Sequence, residues 1–195
     1  MPRLSDAHPD VVLRGWLGEG RPLIVRRPCL SPDGENVCAG LALPPDPHKR
    51  RLAFDLPRVF VREVAEPPLW EDCEADIANG TVEQIRAAAG AGGVPLRTFG
   101  SHAWQHLTGL PYVTKNSDID VLAFINTRKS WRVIRQELER IDWSSAPEID
   151  LEIVLGHDAS FSWREFSNTS ARLLFKGNSR VWPGFKHDAD SHISD

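Results

Sequence analysis

The chain has 195 residues, 41% hydrophobic and 26% charged, an ordinary globular composition with length for one larger domain or two small ones. Its formal net charge of -4 is uneven: residues 1–70 hold 10 Lys/Arg against 9 Asp/Glu, and residues 71–195 hold 13 against 18. That balance offers no basic shell for nucleic acid, no apolar run nears the roughly 18 residues of a membrane span, and the opening MPRLSDAHPD has no apolar leader, so neither nucleic acid nor a membrane is expected as a partner and a cytoplasmic location is.

In chain order, Pro22–Arg27 reads as a strand, followed by a Ser31-Pro32-Asp33-Gly34 turn. Val37–Leu43 is a second strand, ended by Pro44-Pro45-Asp46-Pro47, and Arg51–Leu56 is a third. Cys29, Cys38 and Cys73 are odd in number and lack CxxC spacing, so three reduced thiols are expected rather than disulfides or a zinc ribbon. The Arg26-Arg27 and Lys49-Arg50-Arg51 clusters read either as solvated charge or as contacts for anionic groups. Together these features predict a small β-rich domain over residues 1–70, closed by the Pro67-Pro68 linker.

Beyond the linker the pattern changes. Ile77–Ala89 is helix-permissive and meets Gly90, and Leu96–Phe99 is a short strand running into Gly100-Ser101. Ser101 is a candidate N-cap for a helix over His102–Leu107. Ile119–Ile125 is apolar enough for a central strand, and Ser130–Ile141 carries Trp131, Ile134, Leu138 and Ile141 on one helical face. Ile149–Leu155 is a further strand, and Leu173-Leu174-Phe175 adds another. Strand and helix thus alternate, which predicts an α/β (α+β) domain over about residues 71–183, with a polar, disordered tail over 184–195.

The chemistry concentrates on two of these strands. Side chains alternate along a strand, so Asp118 and Asp120 share a face while Ile119 and Val121 point into the opposite layer. Two adjacent carboxylates repel each other unless water or a cation compensates, and Mg²⁺ (or Mn²⁺) favours carboxylate oxygens together with waters and substrate phosphates. Glu148–Leu155 repeats the alternation, with Asp150 and Glu152 on one face. If the strands are neighbours, up to four carboxylates converge, the grouping that metal-dependent phosphoryl or nucleotidyl transfer requires. Either Asp150 or Glu152 can serve as a third ligand, and Asp150 is favoured because it stands at the start of its strand. Gly100 allows close backbone approach to a phosphate, and the helix after it aims amide groups at the anion. His102 and His106 have metal-ligand spacing, but HAWQH lacks the glutamate of HExxH, so they are read as core or wall residues.

Gly100-Ser101, Trp104-Gln105, Thr108-Gly109-Leu110 with Tyr112, and then Ser117-Asp118-Ile119-Asp120 resemble the nucleotidyltransferase-fold signature. More narrowly the pattern resembles the malonate decarboxylase holo-acyl-carrier-protein synthases, the phosphoribosyl-dephospho-CoA transferases. Pro22–Arg27, Ile149–Val154, Ser162–Glu165 and Leu174-Phe175-Lys176 extend the likeness over most of the chain. One departure is Asp150-Leu151-Glu152, where the family carries Asp-Gly-Glu.

The resemblance implies a nucleotidyltransferase-like mixed sheet with flanking helices. It implies transfer of a prosthetic group from 2′-(5″-triphosphoribosyl)-3′-dephospho-CoA to a serine of the apo acyl-carrier subunit of malonate decarboxylase, with release of pyrophosphate. Asp118 and Asp120 would carry the chemistry and bind Mg²⁺, and Gly100 and Ser101 would hold the triphosphate, with Lys176 and Arg97 as further phosphate partners. An adenylylating nucleotidyltransferase and a catalytically silent binding module of the same fold are the alternatives.

Overall fold

The computed structural model describes residues 8–31, 33–45, 50–73, 80–143, 149–156 and 159–193, and the backbone but not the side chains of Pro28 and Cys29. Lys49, the start of the helix expected from Ile77, Glu148 and the last two tail residues lie outside the described residues.

The chain begins with a helix the sequence reading did not anticipate, α1 (Pro9–Gly18). Proline at its first position is favourable there, because that amide would have no helical partner. Val12 and Trp16, four residues apart, form its buried face. Three antiparallel strands follow: β1 (Ile24–Leu30), β2 (Asn36–Ala42) and β3 (Arg51–Pro57). These match the three expected strands and make the N-terminal region β-rich.

The second sheet has the order β4-β5-β6-β7-β8-β9, formed by Leu96–Thr98, Ile119–Ile125, Ile149–Leu155, Ala159–Ser162, Arg172–Lys176 and Val181–Phe185. It is mixed: β5 and β6 run parallel and the other pairs antiparallel. A parallel pair needs a crossover, which α4 (Arg128–Leu138) supplies. Thr127 caps α4 by accepting from the Ser130 amide at 3.1 Å. Trp131, Ile134 and Leu138 are buried as the helical spacing predicts, but the helix ends at Leu138 and Ile141 packs only from its edge. α2 (Gly80–Gly92) lies against α4.

Burial alternates along β5, with Ile119, Val121, Ala123 and Ile125 inside. They join Leu151 and Ile153 of β6, Phe161 of β7 and Phe175 of β8 in one core, to which Trp163 and Phe166 of α5 (Trp163–Ser167) also belong. The opposite sheet face carries the polar residues.

Two expectations are corrected here. Residues 184–193 are not a disordered tail. Phe185 ends β9, residues Lys186–His192 form a 3₁₀ segment, and Ala189 and Ile193 are buried. Polar composition misleads because the segment is held by a few contacts: the Phe185 amide donates to Asp188 Oδ2 at 2.7 Å, and His192 lies against Phe175 with ring centroids 5.1 Å apart. Nor does Ser101 cap α3 (Gly100–Thr108): Phe99 occupies the cap position without a side-chain bond, and Ser101 is the second helical residue.

A second core joins α1 and the N-terminal sheet to α3 and the segment that follows it. Val12, Trp16, Leu41 and Leu43 pack with Trp104 of α3 and with Tyr112. Trp104 stacks on Tyr112 at 5.8 Å, Trp16 meets Trp104 edge-on at 5.7 Å, and the Tyr112 hydroxyl donates to Ala42 O at 2.6 Å. Burial raises the Tyr112 pKa, partly opposed by Arg21, so the phenol keeps the proton it donates.

Candidate active site

The parallel register sets Asp120 of β5 directly beside Asp150 of β6, strands of this kind lying about 4.8 Å apart. Both project from the polar face, since Ile119, Val121, Ile149 and Leu151 occupy the core face. Asp118 stands just before β5 and is exposed. Asp118 and Asp150 line one cleft of about 530 Å³, with Lys176 from β8 and Arg164 and Glu165 from α5; Ser162 and Asn168 complete its wall.

Asp120 is positioned from β4 and the start of α3. Thr98 Oγ1 donates to the Asp120 carbonyl at 2.7 Å, and the Phe99 amide donates to the same oxygen at 3.2 Å. The side chain lies over Gly100, where an added Cβ would stand 1.7 Å from Asp120 Oδ2. Gly100 also has φ of +64°, in the left-handed region. The glycine expected to admit a phosphate therefore has a different steric reason: it makes room for a carboxylate.

Glu152 corrects the expected four-carboxylate cluster. It shares the polar face, yet its Oε1 accepts from Ser160 Oγ at 2.5 Å, and its Oε2 pairs with Lys176 Nζ at 2.8 Å. Arg27 of β1 approaches Oε1 at 3.8 Å. Both Glu152 oxygens are thus engaged, whereas Asp150 is the direct strand neighbour of Asp120. Among the described residues no three ligand side chains close into a ready-made metal cage. The remaining donor set still fits Mg²⁺ or Mn²⁺, which bind through one or two carboxylates and complete their shells with water and phosphate.

Arg97 is not brought to the cleft. Its guanidinium pairs with Glu66 and donates to Pro67 O at 2.6 Å, so it fastens the linker. Arg26 turns to Asp55 and Ala39 O within its own sheet. His106 is exposed rather than buried, while His102 is half-buried with its pKa lowered by that burial. Among the thiols, Cys38 is buried. Cys73 is free with its pKa pushed up to about 11, by burial and then by Asp72, which keeps it protonated.

The Gly100–Tyr112 segment is largely architectural. Gln105 Oε1 accepts from the Val113 amide at 3.0 Å, Thr108 Oγ1 donates to Trp104 O at 2.6 Å, and Gly109 ends α3 at φ +67°. Arg164, Glu165, Ser162 and Asn168 of the cleft were missed as site residues, although the Ser162–Glu165 run had drawn attention as a motif.

Two family models match adjoining parts of the chain: the phosphoribosyl-dephospho-CoA transferase MdcG N-terminal domain over residues 2–67, and the MdcG C-terminal domain over residues 68–182. The chain belongs to the phosphoribosyl-dephospho-CoA transferase family. It is an enzyme, a transferase. A protein of this name from Xanthomonas euvesicatoria pv. vesicatoria is 34% identical over 172 residues, covering 85% of this chain and 79% of the relative. One from Bradyrhizobium diazoefficiens is 32% identical over 180 residues, covering 91% and 79%. Another, from Xanthomonas axonopodis pv. citri, is 32% identical over 180 residues, covering 89% and 82%. No solved structure gives a significant match. The two family models meet between Pro67 and Pro68, and among the described residues no helix is long and apolar enough to cross a membrane.

Proposed function

We propose that this transferase moves the phosphoribosyl-dephospho-CoA group from 2′-(5″-triphosphoribosyl)-3′-dephospho-CoA to a serine hydroxyl of the apo acyl-carrier subunit of malonate decarboxylase, releasing pyrophosphate. The observation that carries the reading is the direct pairing of Asp120 with Asp150 across parallel strands, beside a cleft that also holds Asp118 and Lys176. The family name supplies the transferred group. The carrier and the departing pyrophosphate follow from the resemblance and from the chemistry of a triphosphorylated donor.

Asp118, Asp120 and Asp150 would hold Mg²⁺ (or Mn²⁺), because a cation offsets the repulsion between the adjacent Asp120 and Asp150 and is reached by Asp118 across the cleft that Asp150 lines. When bound, the ion would screen the donor phosphates and stabilise charge on the departing pyrophosphate. The chain's own residues do the rest. An aspartate carboxylate accepts the serine proton as the serine oxygen bonds to the α-phosphorus. The bond from that phosphorus to the β-phosphate bridging oxygen breaks, and pyrophosphate leaves with the electron pair. Lys176 offsets charge on the departing group. The first-turn amides of α3, at Gly100 and Ser101, have no acceptor within the helix and suit a phosphate oxygen.

Pyrophosphate release tests the donor. With Mg²⁺ and apo carrier, release is expected from the triphosphoribosyl donor and not from ATP. Release from ATP alone would replace this reading with that of an adenylylating enzyme.

A further inference from the structure

Glu152 is nine-tenths buried on the polar face of the sheet, where an unpaired carboxylate is costly. It is met there by cations from two distant parts of the chain: Lys176 of β8 at 2.8 Å and Arg27 of β1 at 3.8 Å. Ser160 Oγ, itself buried, gives its one proton to Glu152 Oε1 at 2.5 Å and lies 3.2 Å from Lys176 O, so β6, β7 and β8 meet at this point. Two cations on one carboxylate leave an excess positive charge. It borders a cleft lined by Lys176 and the exposed Arg164 together with three carboxylates, Asp118, Asp150 and Glu165, the last accepting from the Leu174 amide at 3.1 Å. A Lys176 ammonium released from Glu152 would be free to pair with Asp118 or Asp150, which line the same cleft. With Glu152 it is held apart, with its side chain still 29% exposed to the cleft.

We propose that Glu152 is a positioning residue that ties Arg27 of the N-terminal sheet to Lys176, and that Arg27, Lys176 and Arg164 form one polyphosphate-binding wall shared by the two domains. This rests on the proposed donor only in taking its triphosphate as the ligand; the wall itself selects a chain of phosphates, whatever is attached to it. The N-terminal sheet thereby enters the donor site through Arg27. Arginine and lysine contribute differently here: Lys176 presents a point charge, and Arg164 and Arg27 present planar donor forks suited to phosphate oxygens.

The test uses the full chain, with inorganic tripolyphosphate as the probe in a calorimetric titration at fixed Mg²⁺. Lys176→Met, Arg164→Met and Arg27→Met should each weaken binding at least fivefold, and Arg27→Lys should recover part of the loss. Glu152→Gln should also weaken tripolyphosphate binding at least fivefold. In turnover it should raise the KM for donor more than it lowers kcat, and leave the Mg²⁺ concentration for half-maximal rate unchanged. Asp150→Asn should raise that Mg²⁺ concentration severalfold. Should Glu152→Gln fail to fold, the Arg27 pair decides, because Arg27 is on an exposed part of its strand. Wild-type protein that does not bind tripolyphosphate, Arg27→Met that binds it normally, or Glu152→Gln that shifts the Mg²⁺ requirement as Asp150→Asn does would each overturn the proposal. Wild-type protein that binds tripolyphosphate but transfers nothing from the triphosphoribosyl donor would sink the donor assignment while leaving the wall standing.

Discussion

Replacing Gly100 by alanine separates two costs that the structure places on one residue. The first is conformational: at φ +64° an L-residue loses about 1–2 kcal/mol relative to glycine. For a chain of this size that lowers Tm by about 2–8 °C. The second is steric. The new Cβ would lie 1.7 Å from Asp120 Oδ2 and 2.6 Å from Cγ. Ordinary contact is about 3.5 Å, so the carboxylate must retreat by about 2 Å. The obstructing atoms are the end of a side chain, so the fold can absorb the shift, but the site cannot. Displacements of about 1 Å in a catalytic group reduce rates by about 100-fold, and kcat should fall at least that far. Gly109→Ala is the control. Gly109 has φ of +67° with nothing within 4 Å of its added Cβ, so it should lose similar stability and keep full turnover. Melting curves and initial rates on the two purified variants decide the matter. Normal turnover in Gly100→Ala, or an equal loss in Gly109→Ala, would refute the steric reasoning.

Tyr112→Phe removes the 2.6 Å bond to Ala42 O and should cost about 0.5–1.5 kcal/mol, seen as a lower Tm with turnover at 25 °C retained; an unchanged melt would show that this bond does not fasten the two domains. Ile193→Ala, at a position 3% exposed, should cost about 2–5 kcal/mol, and a wild-type melt would mean the C-terminal segment does not seal the core. Burial holds the His102 pKa below 6.5, so the unfolded chain takes up this proton first as pH falls. Stability from His102 is complete above about pH 6.5 and declines below it, down to the lowered folded value. His102→Gln should therefore lose less Tm than wild type between pH 7.5 and 5.5, and parallel losses would exclude the contribution.

Much of the scaffold was legible because it rests on short-range periodicity. The alternation of Ile119, Val121, Ala123 and Ile125 and the spacing of Trp131, Ile134 and Leu138 determine a buried face without reference to the rest of the chain. The same alternation put Asp120 and Asp150 on polar faces, and only the strand register was needed to set them side by side. What stayed hidden depends on distant partners. Glu152 looks like a fourth ligand until Lys176, 24 residues on, and Arg27 of another sheet are found on its oxygens. Trp104 and Tyr112 stood out as a motif, but their purpose depends on α1, whose Val12 and Trp16 at helical spacing were a signal passed over. The C-terminal segment defeats composition for a similar reason. Two buried side chains, Ala189 and Ile193, help to fix a stretch that is otherwise polar, with the Phe185–Asp188 bond and the His192–Phe175 contact.

The proposed transfer is tested most directly by intact-mass measurement of an apo acyl-carrier subunit of malonate decarboxylase, incubated with the enzyme, Mg²⁺ and the triphosphoribosyl donor. The carrier should gain the mass of one phosphoribosyl-dephospho-CoA group with wild-type enzyme, and none with Asp120→Asn showing an unchanged melt. A carrier left unmodified by the wild type, or modified equally by Asp120→Asn, would contradict the assignment of this chemistry to the paired aspartates.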